Sequence, residues 1–321
     1  MSRRASIDER VLRRLKLREL RILMTVVQVG SMGKAATQLA LSQPAVSKAI
    51  AEMEHTLGVK VLDRTPQGVE PTLYGRALLK WATAVFDDLR QGVREIQFLA
   101  DPAAGEVRVG SHEVMSAGLL PAVIDRLSRQ YPRLVFTVRQ AATIPLLYGD
   151  LRERRVDFIF GRMMSPIESE DLNVEVLFAD PLIIVAGSRS KWVRRRSIDL
   201  AELVNEPWCL PPDDLPITPF VAEAFRSRGL EAPHITVRSN SPHLLYGMVR
   251  TGRFLSVAPS STVQLSGVRL GLKPLPMKFA IQPGPIGIVT LKNRTISPVA
   301  QRFIECARKF VRSVATGTRT Q

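Results

Sequence analysis

The stretch SQPAVSKAIAEMEHTLG, from Ser42 to Gly58, has the features of a capped amphipathic helix. Ser42 can cap the first turn, Pro44 is tolerated within that turn, and Gly58 can end the helix in the left-handed conformation. At about 100° per residue, one narrow stripe is apolar and consists of Val46, Ile50, Met53 and Leu57. The opposite face is small, polar and basic, as a helix that enters a DNA major groove requires, although a solvated surface helix has the same pattern.

Two further helices precede this stretch at short spacing. Apolar residues predict an amphipathic helix over 17–30, and Ser31 can cap a short second helix. Ala40 and Leu41 then form a tight connection to Ser42. Three helices with a tight turn before the last one are typical of a helix-turn-helix, which favours the DNA-binding interpretation.

A hairpin is predicted directly after this helix. Short apolar strands at 59–62 and 69–71 flank a turn at 66–68 that contains Pro and Gly. Arg64 lies beside the turn, where a guanidinium suits a DNA phosphate or the minor groove. Together these segments predict a winged helix-turn-helix over residues 1–71.

A long amphipathic helix is predicted over 72–100. Apolar residues recur along it every three or four positions, and a helix of this length has little of its own domain to pack against. We therefore expect its apolar stripe to pair with a second copy of the chain, although the stripe could instead lie on the downstream domain. Pro102 and Gly105 predict a break after the helix.

Beyond residue 105, short strands alternate with helices, which is typical of an α/β fold. The predicted strands are 106–111, 134–140, 156–160, 174–178, 182–187, 206–210, 234–238, 254–258 and 286–291. The predicted helices are 117–131, 144–153, 199–204, 218–229, 241–251 and 297–315. Where a strand runs into a helix in such sheets, backbone N–H groups and hydroxyls can bind small anions.

The composition limits the partners and the compartment. The 321 residues carry a net charge of +15, which is compatible with a polyanionic partner. Two widely spaced cysteines, Cys209 and Cys306, argue against a disulfide framework and a zinc site, and they fit a reducing compartment. A charged N-terminus and the lack of any apolar run of ~18 residues predict a cytoplasmic protein without a membrane span.

Enzymatic chemistry finds little support in the sequence. Ser111, His112 and Glu113 bring nucleophile and base types together, but adjacent side chains of an extended chain point in opposite directions. The nucleophile-elbow, HExxH and phosphate-loop patterns do not occur. We therefore expect no enzyme, no catalytic residue, no metal site and no cofactor.

Short motifs follow one another through the first hundred residues, namely AATQL at 35–39, SQPAVS at 42–47, MEHTLG at 53–58, LDR at 62–64 and PTLYG at 71–75. Their order and spacing resemble those of LysR-type transcriptional regulators. Met53 stands where that family usually has Leu, Asp63 where it has Phe, and Met32-Gly33 where it has a serine-phenylalanine pair. The later part of the chain looks most like the subgroup that regulates genes for sugar-binding or sugar-uptake proteins.

The resemblance covers the whole chain and implies an overall α/β architecture. It implies a winged helix-turn-helix domain at 1–71, a linker and dimerisation helix at 72–100, and an effector-binding domain at 101–321. The last would be a two-lobed periplasmic-binding-protein type 2 fold, with lobe I at about 105–181 and 284–315 and lobe II at about 182–283. Such a regulator would bind operator or promoter DNA sequence-specifically, form dimers and homotetramers, and act with RNA polymerase. A small-molecule effector (a sugar, a sugar acid or another small organic acid) would bind between the lobes.

The resemblance also implies the functional residues. Those at DNA would be Ser31, Ser42, Gln43, Pro44, Ser47, Lys48 and Arg64. Gln43 could read a base edge, whereas Ser47 and Lys48 suit phosphates. Those at the effector would be Ser111, Thr143, Arg162, Ser239, Asn240 and Ser241. Each residue could instead be an ordinary cap, turn or surface residue, and Arg162 could equally pair with Asp157 or Glu168.

Two other classes of binding protein compete with this reading. A solute-binding protein of an uptake system shares the two-lobed fold, but it would have a signal peptide and no winged helix. A nonspecific architectural DNA binder would show no preference in competition with unrelated DNA, whereas specific binders prefer their site by ~10³ or more.

Overall fold

The computed structural model describes residues 11, 13–65, 68–164, 166–167, 169–277, 281–282 and 284–315, without the side chains of Arg64 and Ala315. The predicted turn residues Pro66 and Gln67 lie outside this part of the chain. The contacts divide the protein into two compact units, Met1–Arg90 and Gln91–Gln321. Within the described ranges, no helix has the length and apolar character that a membrane span requires.

The first unit begins with three helices, α1 (Leu17–Val29), α2 (Met32–Gln38) and α3 (Gln43–Leu57). Gly30 and Gly58 follow α1 and α3 with φ of 67° and 72°, a left-handed conformation that glycine adopts without strain. Apolar side chains from all three helices form one buried core that includes Leu23, Val26, Ala35, Val46, Ile50 and Met53. The helix-turn-helix prediction is confirmed.

The wing is an antiparallel pair of strands, β1 (Leu62–Thr65) and β2 (Gly68–Pro71). The predicted first strand at 59–62 was therefore placed too early. The cause is a side chain of the preceding helix, because the backbone N–H of Val61 donates to the carboxylate of Glu54 and not to a partner strand.

One long helix, α4 (Leu73–Ala100), follows the wing, as the sequence predicts. Thr72 caps it, since its Oγ1 accepts a hydrogen bond from the N–H of Gly75 at 3.0 Å. Large apolar side chains on α4 are exposed, including Trp81, Leu89, Val93, Ile96 and Leu99.

The second unit contains ten strands and six α-helices among the described residues. The strands are β3 (Ala104–His112), β4 (Arg133–Ala141), β5 (Phe158–Arg162), β6 (Leu172–Ala179), β7 (Leu182–Gly187), β8 (Trp208–Leu210), β9 (Ile235–Arg238), β10 (Leu255–Pro259), β11 (Leu272–Pro274) and β12 (Pro285–Leu291). The helices are α5 (Leu119–Gln130), α6 (Tyr148–Arg152), α7 (Ile217–Arg226), α8 (Pro242–Arg250), α9 (Ser260–Leu270) and α10 (Pro298–Ala315).

Lobe I is built on a five-stranded sheet of order β4-β3-β5-β12-β6. β3 runs parallel to β4 and β5, whereas β12 returns from lobe II and pairs antiparallel with β5 and β6. Helices α5 and α10 pack on this sheet. Phe303 of α10 lies at the centre of the core, with its ring 5.1 Å from that of Phe158.

Lobe II has a second five-stranded sheet, of order β11-β7-β10-β8-β9. β8 is parallel to β9 and β10, and β7 is antiparallel to β10 and β11. Trp208 and Phe225 meet edge to face in its core, with ring centroids 5.7 Å apart. The chain enters this lobe after β6 and leaves it before β12, so two crossover segments join the lobes. The two-lobed α/β prediction is confirmed.

Two elements of lobe II were not predicted, α9 and β11. Helix α9 buries Ser261, Thr262, Ser266 and Gly267, so it lacks the apolar stripe by which an amphipathic helix is recognised. β11 has three residues and ends in Pro274, which leaves too short a run for a strand pattern.

Some other predictions also differ from the structure in type or position. The helix predicted at 199–204 is a 3₁₀ turn (Leu200–Leu203), and the one at 144–153 is a 3₁₀ turn (Ile144–Leu147) followed by α6. Such short segments commonly adopt this tighter form. The strand predicted at 156–160 begins two residues later, because the Asp157 carboxylate binds the backbone N–H of Arg108.

Candidate functional site

The N-terminal part of α3 presents an uncharged and basic surface to solvent. Gln43, Pro44 and Lys48 are exposed, and Ser47 is half-buried beside them. Neither α2 nor α3 carries an acidic residue in its first turn. A polyanion could therefore approach this surface without meeting a carboxylate at either helix start.

The two serines at the helix starts both act as caps. The Oγ of Ser42 accepts from the N–H of Ala45 at 3.3 Å, and the Oγ of Ser31 accepts from the N–H of Lys34 at 3.4 Å. Each hydroxyl keeps its own proton, which it can donate to a phosphate oxygen. Capping and a contact to DNA are therefore compatible at both positions.

Two lysines flank this surface. Lys48 lies 3.8 Å from the carboxylate of Glu52, but the two side chains are 78% and 53% exposed, so the pair contributes little and can open. Lys34 is also exposed, next to the capped start of α2. Lys34 was not among the predicted DNA-binding residues, although the sequence places it three residues after the capping Ser31.

Glu54 fixes the wing to α3. Its Oε1 accepts from the N–H groups of Val61 and Leu62 at 3.0 and 3.4 Å, and Oε2 binds Lys60 Nζ at 2.6 Å. Burial alone would raise the pKa of Glu54, but these hydrogen bonds outweigh it and hold the pKa below 4.5. The wing backbone is thereby tied to α3. The side chain of Arg64 lies outside the described part of the wing.

A cavity of about 490 Å³ lies between the two lobes. Three of the predicted effector residues line it, Thr143 and Arg162 from lobe I and Asn240 from lobe II. Its wall is mostly apolar and also includes Met163, Pro211, Pro242, Leu245 and Pro259. A volume of this size suits a small organic molecule.

The other three predicted effector residues are not part of the cavity wall as described. Ser111 is fully buried and donates its hydroxyl proton to the carbonyl oxygen of Phe160 at 2.7 Å. The Oγ of Ser239 accepts from the N–H of Ser241 at 3.1 Å, so this pair shapes the turn before α8. Ser111 in particular joins β3 to β5.

Arg162 is committed to partners inside the protein. Its Nη1 donates to the carbonyl oxygens of Asp180 and Gly284 at 2.6 and 2.8 Å, and its Nη2 lies 3.2 Å from Asp180 Oδ2. The ion pair left open by the sequence therefore exists, but its partner is Asp180 and not Asp157. Asp157 binds Arg108 and Arg294 instead, and Glu168 lies outside the described residues.

The cavity wall also contains two polar residues that were not predicted to bind a ligand, His112 and Tyr246. Burial, and then the charge of Arg162, lower the pKa of His112 to about 3, so its imidazole is neutral near pH 7. Its Nδ1 is buried without a hydrogen-bond partner. Burial, and then the charge of Asp180, raise the pKa of Tyr246, which keeps the phenol protonated. These two side chains thus offer neutral groups to a ligand.

Metal and thiol chemistry find no site in the part of the chain that the structure describes. Among those residues, no group of three His, Cys, Asp or Glu side chains could hold a metal ion. Cys209 and Cys306 are both free thiols. Burial raises the pKa of Cys209 to about 11, so this thiol is protonated and a poor nucleophile near neutral pH.

Two protein families match the chain. The LysR substrate binding domain matches residues 100–312, and the bacterial regulatory helix-turn-helix protein of the lysR family matches residues 17–76. The chain is 27% identical over 296 residues to the HTH-type transcriptional regulator GbpR of Azospirillum brasilense, covering 92% of this chain and 86% of that protein. It is 27% identical over 295 residues to the HTH-type transcriptional regulator TdcA of Escherichia coli, covering 92% and 93%.

Solved structures show the same fold. A full-length OxyR from Pseudomonas aeruginosa superposes with a TM-score of 0.64 at 23% identity, covering 93% of this chain and 95% of that one. CbnR, a LysR family transcriptional regulator, superposes with a TM-score of 0.53 at 20% identity, covering 91% and 100%. At these identities the likeness supports the fold.

Proposed function

The chain belongs to the LysR family of transcriptional regulators, and we propose that a small organic effector bound between its two lobes controls its binding to operator DNA. It is a DNA-binding transcriptional regulator with an effector-binding domain and not an enzyme. The observation that carries the proposal is the interlobe cavity of about 490 Å³, which has walls from both lobes. A ligand that binds one arrangement of the lobes more tightly shifts the population toward it.

The DNA would be read by α3 in the major groove. Gln43 is exposed at the start of this helix, and its amide can pair with a base edge, most simply N6 and N7 of adenine. Ser47 and Lys48 lie one turn further on and suit backbone phosphates, which position the helix without reading sequence. Arg64 of the wing stays a prediction for a phosphate or the minor groove.

The effector would be a sugar, a sugar acid or another small organic acid. Thr143 and Asn240 supply a hydroxyl and an amide to the cavity wall, and apolar residues such as Met163 and Pro259 would cover the less polar faces of the ligand. The charge of Arg162 is balanced by Asp180. An acidic effector would therefore be bound chiefly through neutral hydrogen-bond donors.

Self-association would complete the regulator. The apolar stripe of α4 would pair two chains, and two such dimers would form a homotetramer that holds several DNA-binding domains. Contact with RNA polymerase in the cytoplasm would then turn a change of shape into a change in transcription. Tetramer formation and contact with RNA polymerase are both inferred from the family to which the chain belongs.

The decisive experiment uses the full chain and two screens. DNA that the protein selects from a random library defines its site, and a specific regulator should prefer that DNA over unrelated DNA by ~10³ or more. A thermal-shift panel of sugars, sugar acids and small organic acids then identifies the effector. A saturating hit should change the footprint on the selected DNA, and an unchanged footprint with unchanged transcription would refute effector control.

A pair of variants locates the effector. Thr143→Ala removes a hydroxyl from the cavity wall and should weaken the thermal shift by about tenfold in ligand concentration, as expected for one lost hydrogen bond. Ser128→Ala removes a hydroxyl from a half-buried site on α5, outside the cavity wall, and should leave the shift unchanged. Equal effects of both changes would place the ligand elsewhere.

A further inference from the structure

One end of the lobe II sheet carries a group of exposed cations, which we call the basic end of lobe II. Its members are Arg189, Arg194, Arg196, Arg250, Arg253 and Lys273. All six side chains are exposed, and the described part of the structure shows no ion pair for any of them. Five of the six are arginines, the residue best suited to bidentate contacts with phosphate.

The register of the strands brings three of these residues together. Gly187 at the end of β7 lies opposite Leu272 at the start of β11, and Ala186 lies opposite Leu255 at the start of β10. Arg189 follows β7, Arg253 precedes β10, and Lys273 lies near the start of β11. The three residues are therefore at the same end of three adjacent strands.

Close backbone contacts confirm that these segments pack against one another. A Cβ added at Gly252 would lie 3.1 Å from the Cβ of Arg189, and one added at Gly271 would lie 2.8 Å from the Cγ of Arg250. Arg253 is also held by its neighbour, since its guanidinium carbon lies 5.4 Å from the ring centroid of Phe254.

Two acidic residues of this region are already paired with other cations. Glu206 accepts from Lys191 Nζ at 2.8 Å and from Trp192 Nε1 at 2.9 Å. Glu202 accepts from Arg195 at 3.2 Å. The basic end therefore keeps an excess of positive charge after its local ion pairs are formed.

The basic end lies away from the effector cavity. The cavity wall includes Leu182 at the start of β7, Pro211 just after β8 and Pro259 at the end of β10. These residues lie at the end of the lobe II sheet that is opposite to the basic end. The cations therefore have no role in enclosing a ligand in the cavity, and they face outward from the far edge of the lobe.

We propose that the basic end of lobe II binds the phosphate backbone of DNA beyond the sequence that α3 reads. Unpaired exposed arginines gain free energy by displacing counterions from DNA, without any base contact. DNA is also the polyanion that this family binds through its other domain, so a duplex bound there is tethered to the chain that carries lobe II, and the tether raises its effective concentration. Lobe II would add affinity and salt dependence but no sequence preference.

The test compares three full-chain proteins on a labelled duplex of random sequence, about 60 base pairs long, over a range of salt concentrations. The triple variant Arg189→Gln, Arg250→Gln, Arg253→Gln should lower the slope of log affinity against log salt by about 2.7 for each protomer that contacts the DNA. The control variant Arg129→Gln, Arg139→Gln, Arg226→Gln removes the same charge from arginines that are already ion-paired. It should keep the wild-type slope.

Two further measurements separate the proposal from simpler explanations. The triple Arg→Lys variant at the same three positions keeps the charges and should keep the slope. Binding preference between selected and random DNA should be the same in the triple Gln variant as in the wild type, because no base contact is lost. Equal slopes for the triple Gln variant and the control would overturn the proposal. Tighter binding of a polyglutamate peptide of matched charge than of DNA, lost in the triple Gln variant, would also overturn the proposal and would indicate an acidic protein partner.

Discussion

Arg162 and Asp180 form a buried ion pair, with 3.2 Å between Nη2 and Oδ2 and side chains that are 3% and 1% exposed. The carboxylate of Asp180 also accepts hydrogen bonds from Ser260 and Ser261 at the start of α9. Arg162 also donates to the carbonyl of Gly284 in the second crossover. One residue of lobe I thus binds both segments that lead to lobe II.

Removing one partner of this pair should be more harmful than removing both. Asp180→Ala would leave a buried guanidinium without its counter-charge and should destabilise the second unit by about 3–5 kcal/mol. The double variant Arg162→Met, Asp180→Ala removes both charges and should lose less than the sum of the two single changes. Thermal and urea unfolding of the four proteins gives the coupling free energy, and additive losses would show that the pair is not coupled.

Glu54 should make the stability of the winged domain depend on pH. Its lowered pKa means that the folded state holds the charged form, so the stabilisation is present above pH 4.5 and is lost as the pH falls through the folded-state pKa. Glu54→Ala should cost about 2–3 kcal/mol near neutral pH and progressively less in acid. Hydrogen exchange at the Val61 and Leu62 amides reports the loss directly, and Glu70→Gln, at an exposed site of the wing, is the control.

The outer face of α3 predicts two different mutant phenotypes. Lys48→Ala should weaken binding to all DNA sequences alike and lower the salt slope by about one. Gln43→Ala should relax discrimination at one base pair by about 1–3 kcal/mol. Affinities on selected and point-substituted duplexes distinguish the two, with Thr56→Ala near the other end of α3 as control. Intact specific binding in both variants would remove this helix from the interface.

Self-association should depend on the exposed stripe of α4. Leu89, 48% exposed in the single chain, would become buried when two copies pair, and Leu89→Glu would place two carboxylates in that interface. Loss of two buried leucines should raise the dimer dissociation constant at least ~100-fold. Sedimentation velocity measures this change. Glu95→Gln, off the stripe on the same helix, should leave the dimer intact, and a Leu89→Glu protein that remains dimeric would contradict the assignment.

Local patterns account for what the sequence predicted well. The caps and the apolar stripe of α3 are contained within one segment, so Ser42, Val46 and Gly58 are interpretable without knowledge of the rest of the fold. The alternation of strands and helices after residue 105 is local in the same sense. The first-unit helices and the α/β class of the second unit were therefore predictable from local patterns, whereas its two lobes were implied by the resemblance to LysR-type regulators.

Contacts between distant segments account for what was missed. The partner of Arg162 lies in the crossover between the lobes, and the carboxylate of Glu54 binds the backbone N–H groups of Val61 and Leu62 where the wing begins. α9 packs through Ser261 and Thr262 rather than through an apolar face, so its burial leaves no periodic signal. The role of Thr143 depends on which side chains of the other lobe face it, and hydrophobic periodicity does not report that.

The hydrogen bonds between Glu54 and the start of the wing limit how far the wing can move relative to α3. The wing is held a second time by its own backbone, since the N–H of Val69 donates to the carbonyl of Gly30 at 3.0 Å. Both strands of the wing are therefore tied to the helices of the first unit, β1 through Glu54 of α3 and β2 through the end of α1. If α3 and the wing both contact one duplex, as proposed, a duplex whose grooves do not match their spacing must deform or lose one of the two contacts, and the stiffness of the DNA would then contribute to selectivity.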